Sequence, residues 1–66
     1  MEKDLARMIK KVKEIRCRLE SFNVSFVTIG QCKGKIHIYA KTKEELYEIK
    51  DYMSSEELEI VDFHKV

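Results

Sequence analysis

The sequence predicts a small α+β domain: a two-layer α/β sandwich in the order α-β-β-α-β, with both helices on one face of a three-stranded mixed sheet. Three observations carry this. A long amphipathic stripe opens the chain. Two stretches rich in β-branched and aromatic residues follow, divided by a segment with two glycines. A T-x-x-E signature then introduces a second helical stripe ahead of a last apolar run.

In the first segment Leu5, Met8, Val12, Ile15, Leu19 and Phe22 recur at spacings of three and four, and Ile9 widens the stripe. That is the period of a helix burying one narrow face, while Lys3, Arg7, Lys10, Lys13 and Glu14 lie on the solvent side. The stripe suits a sheet of the same chain. Its three heptads could also serve a coiled coil.

Val24-Ser25-Phe26-Val27-Thr28-Ile29 reads as a strand. Residues 30–35 read as a hairpin loop, with Gly30 and Gly34 available for positive φ. From Ile36 to Lys41 the chain alternates: Ile36, Ile38 and Ala40 share one face, His37, Tyr39 and Lys41 the other. Thr42-Lys43-Glu44-Glu45 is a capping box that opens the second helix, whose stripe is Leu46, Ile49 and Met53. Its early glutamates suit the positive end of the helix dipole. Ser54 to Glu57 ends that helix or begins a short turn, and Leu58 to Phe63 reads as a last strand. A right-handed crossover makes this strand parallel to the preceding one.

This order is similar to the split β-α-β ferredoxin-like arrangement with its first strand missing, a likeness of architecture without a family motif. In that arrangement the first strand lies between the two parallel ones. Its absence implies either direct pairing of the last two strands or a slot open to another chain.

With 66 residues the chain forms one domain, residues 1–66. A chain of this size buries about 60% of its unfolded surface, which leaves a small core and little room for a substrate pocket. At 44% hydrophobic and 38% charged it is globular in composition. The N-terminus lacks the apolar region of a secretory signal, and no apolar run is long enough for a membrane span. Cys17 and Cys32 form neither a disulfide scaffold nor a CxxC pair. Reduced thiols and a cytoplasmic home are expected, in a prokaryotic cell or a phage-infected host.

Chemistry finds no foothold. Gly30-x-x-x-Gly34-Lys35 is one residue short of a phosphate loop and precedes a strand, not a helix. Cys17, Cys32, His37 and His64 are spread over a helix, a loop, a strand and the chain end, without the close pairing of zinc ligands. The expected distance between Cys17 and Cys32 exceeds a disulfide's reach. Cys17, between Arg16 and Arg18, has no base beside it. The expectation is a non-enzyme without cofactor, metal or small-molecule substrate.

Two surfaces remain. The sheet face turned away from the helices is expected to carry Val27, Ile29, His37, Tyr39, Val61 and Phe63, an apolar patch suited to a protein partner and in particular a homodimer. The alternative is nucleic acid, held by Lys3, Arg7, Lys10, Lys13, Lys33 and Lys35. Residues 1–41 hold ten basic and four acidic residues (net +6), and residues 42–66 three basic and eight acidic (net −5). Such a division also suits internal pairing between a basic and an acidic helix. The function expected is therefore a small non-catalytic, self-associating binding module.

Overall fold

The computed structural model describes residues 2–66, with side chains from Leu5 onward. Helix α1 (Glu2–Ser21) is followed by strands β1 (Thr28–Cys32) and β2 (Lys35–Ala40), helices α2 (Lys43–Asp51) and α3 (Ser55–Ile60), and strand β3 (Val61–Lys65). The fold is the α+β arrangement that the sequence predicts. The sheet order is β1-β2-β3, with β1 antiparallel and β3 parallel to β2. Direct pairing of β2 with β3 leaves no slot between them.

Val12, Ile15 and Leu19 of α1 and Ile49 of α2 are buried with Ile29, Ile36, Ile38, Ala40 and Val61, so the helices cover one sheet face. At 1.5 Å per residue, α1 is about 30 Å long, whereas a five-residue strand spans only about 17 Å. The helix therefore overhangs, and Leu5 and Ile9 remain 50% and 44% exposed. At its other end Phe22 stacks on Tyr52 with ring centroids 4.9 Å apart.

Three boundaries differ from expectation. Residues 24–27 cap and connect α1; they are not strand. Asn23 takes φ 57°, its N–H donates to Glu20 O, and the Val24 N–H donates to Leu19 O at 2.9 Å. These two bonds make a Schellman motif, sealed by the buried Leu19 and Val24 side chains. The hairpin loop shrinks to Lys33 and Gly34, at φ 53° and 79°, because Cys32 already pairs with Lys35. Positive φ at both central residues marks a type I′ turn, which matches the strand twist.

Residues 58–60 are helical. Ser54 and Glu57 form a complete capping box: the Glu57 N–H donates to Ser54 Oγ at 3.2 Å and the Ser54 N–H to Glu57 Oε1 at 3.0 Å. The box at Thr42 is half formed. The Glu45 N–H donates to Thr42 Oγ1, but Glu45 Oε1 accepts from the Lys41 N–H, one residue early. Among the described residues no helix is long and apolar enough to cross a membrane.

Candidate functional site

Strand register decides which side chains share the open sheet face. In β1, Ile29 pairs with Ile38 and turns inward, which sends Thr28, Gly30 and Cys32 outward beside Tyr39, His37 and Lys35. In β3, Val61 pairs with Ile36 and Phe63 with Ile38, both inward, so Asp62 and His64 turn outward beside His37 and Tyr39. Of the six residues expected on this face, His37 and Tyr39 lie on it. Ile29 and Val61 are buried in the core, and Phe63 packs against the core with Lys50 Nζ 5.1 Å from its ring centre. Val27 precedes β1, half exposed, its N–H bonded to Tyr39 O.

The reason is phase. Alternation carried from Val24 through Ile29, or from Leu58 through Phe63, assumes strand throughout. Both stretches contain a helix end or cap, where a two-residue period does not hold, and each strand restarts with the opposite face inward.

The open face is thus polar. His37 Nδ1 and His64 Nε2 are 2.9 Å apart, within hydrogen-bond reach. Their rings stack with centroids 5.1 Å apart, and Tyr39 stacks on His64 at 4.7 Å and 20°. A carboxylate oxygen of Asp62 and one nitrogen from each histidine lie within 4.8 Å of one another, and all three residues are half-buried. Lys35 Nζ approaches Asp62 Oδ1 at 3.4 Å, with side-chain exposures of 52% and 43%. Opposite His37 stands Gly30, where an added Cβ would meet nothing within 4 Å.

Asp62 escapes the sequence reading and His64 enters it only as a scattered ligand, because the last strand is phased one residue out. The signal for the correct phase is Ser54-Ser55-Glu56-Glu57, a second S/T-x-x-E box. A helix starting there postpones the strand to Val61.

The basic half is divided. Lys11 and Arg18 turn to Glu57, which is 6% exposed. Arg18 Nη1 donates to Glu57 Oε1 at 2.7 Å and Nη2 to Oε2 at 3.0 Å, while Nη1 also reaches Tyr52 O. The Arg18 guanidinium, helped by the Ser54 amide and Lys11, holds the Glu57 carboxyl at about 2 although burial pushes it up. Among the described residues, internal pairing between the basic helix and acidic residues occurs at α3 and not along α2.

Arg7, Lys10, Lys13 and Lys33 are exposed, and Lys35 engages Asp62; the Lys3 side chain lies outside the described residues. The α1 cations and the histidine pair sit on opposite layers. Cys17 and Cys32 are free and exposed. A groove of about 410 Å³ opens beside Lys11, Glu57 and Ile60, and others lie at Ser25–Val27 with Lys41 and at Ile9, Val12 and Gly30.

No family model matches the chain, and no curated protein or solved structure matches it.

Proposed function

We propose that this protein is a small non-catalytic binding module whose contact surface is the open face of the sheet, and that a second copy of the chain is a partner there. The observation that carries the reading is the uncovered row His37, His64 and Tyr39 at the centre of that face. Flat stacked rings offer area at low entropic cost. Lys35 and Asp62 on the same face suit a two-fold contact, in which each lysine meets its mate's aspartate.

Magnitude limits the contact. Three strands about 4.8 Å apart and about 17 Å long present roughly 240 Å², against about 800 Å² per partner in a standard interface. Self-association through this face alone is therefore weak and depends on concentration.

Sedimentation velocity over a concentration series, in EDTA, tests it. Wild type should shift towards dimer at high concentration. Tyr39→Glu and Asp62→Lys should stay monomeric, and Lys35→Asp combined with Asp62→Lys should restore association. A wild type that is monomeric throughout overturns the self-association reading.

A further inference from the structure

We propose that His37, His64 and Asp62 form a binding site for one late first-row divalent metal ion, such as Zn²⁺, Ni²⁺ or Cu²⁺, on the open sheet face. The proposal rests on the reading of that face as a binding surface, and gives it a ligand of stated chemistry.

Metal–imidazole bonds are about 2.0–2.1 Å, so two nitrogens bound cis on an octahedral ion stand about 2.9 Å apart, and on a tetrahedral ion about 3.3 Å. His37 Nδ1 and His64 Nε2 already stand 2.9 Å apart. Octahedral coordination needs no approach of the two rings, and tetrahedral coordination needs them to part by only about 0.4 Å. Asp62 has a carboxylate oxygen within 4.8 Å of the histidine nitrogens. Side-chain rotation can close that distance, because the bond that holds the carboxylate is a long ion pair to Lys35, half exposed at both ends. Such surface pairs contribute under about 1 kcal/mol and yield readily to a stronger ligand.

Chemistry agrees with the geometry. Two imidazoles and a carboxylate suit late first-row divalent ions, which prefer nitrogen donors to the all-oxygen sets of magnesium and calcium. The His37–His64 contact holds one proton between the two nitrogens, and a metal takes both nitrogens as ligands by displacing that proton. Tyr39, stacked on His64, limits the freedom of that ring.

The site also follows from the fold. His37 pairs with Asp62 in the parallel register, and His64, two residues on, faces the same side. Chain spacing of 27 residues between the histidines hides what two adjacent parallel strands bring together.

The test is isothermal titration of the untagged full chain carrying Cys17→Ser and Cys32→Ser, with Ni²⁺ and Zn²⁺ chlorides at a dilute, monomeric concentration. Amide resonances are followed in parallel. One ion per chain should bind, with the largest shifts at His37, Asp62 and His64. His37→Gln and His64→Gln should each weaken binding by at least about tenfold, because even losses outside the ligand set cost that much. Asp62→Asn should weaken it less. The far-UV circular dichroism of each variant reports folding, and either histidine variant suffices if the other fails to fold. Absence of saturable binding up to millimolar metal, or binding unchanged in both histidine variants, overturns the proposal. Self-association in EDTA is read separately, so loss of metal binding and loss of the contact between copies are told apart.

Discussion

Replacing Glu57 by Gln tests whether a charge clamp holds α3 against α1. Glutamine keeps a carbonyl that can cap Ser54, so the box survives and the charge is lost. The carboxyl is held at about 2 instead of 4.5, chiefly by the two hydrogen bonds from Arg18. At 1.36 kcal/mol per pH unit this corresponds to roughly 3 kcal/mol at pH 7. Because the folded value is depressed, the stabilisation is complete above 4.5 and fades as pH falls towards 2. Linkage gives about 1.4 kcal/mol remaining at pH 3 and under about 0.5 kcal/mol at pH 2. The penalty should lie at the lower end of the roughly 3–5 kcal/mol typical of a broken buried pair, since Arg18 is 30% exposed and water can reach it.

A domain of 66 residues has a total stability of only about 3–10 kcal/mol. The variant should therefore melt about 12–24 °C below wild type. Urea unfolding followed by circular dichroism at pH 7 and pH 3 reads the effect directly. The gap between wild type and variant should contract from roughly 3 to about 1.4 kcal/mol. A gap under about 1 kcal/mol at pH 7, or one that ignores pH, would refute the clamp. Because α3 leads straight into β3, loosening it should also broaden the amide resonances of Asp62 and His64.

Two further predictions follow from the turn and from the free cations. Lys33 sits at φ 53°, a left-handed region that asparagine tolerates better, so Lys33→Asn ahead of Gly34 should raise stability by up to about 1 kcal/mol. A urea midpoint that moves up at constant slope supports this, and an unchanged or lower midpoint refutes it. The α1 cations lie on the layer opposite the histidine row, so wild type and Lys10→Glu/Lys13→Glu should elute alike from DNA and RNA columns at low salt. Retention of wild type that is lost in the double variant would move the reading to nucleic acid.

The elements that the sequence reveals most clearly are those whose period is uninterrupted. Val12, Ile15 and Leu19 mark α1, and Ile36, Ile38 and Ala40 mark β2; both stripes are buried. Where a cap intrudes, the period misleads. Val24 is apolar because it seals the end of α1, and Ile60 is the last residue of a helix, so neither sets the phase of the strand that follows. The error in the candidate face has that one cause: Ile29, Val61 and Phe63 trade places with Thr28, Asp62 and His64.

By itself, the sequence determined the class of fold, the inward face of the central strand and the separation of basic from acidic residues, because each is written in local period and composition. The tertiary structure decided the rest. Whether His37 meets His64 depends on which residue of β3 lies beside Ile36, and a one-residue slip turns the whole strand over. That register is set by the short helix ahead of β3, held through Glu57 by an arginine 39 residues earlier. Such a contact has no local periodicity, so only the folded chain reveals it.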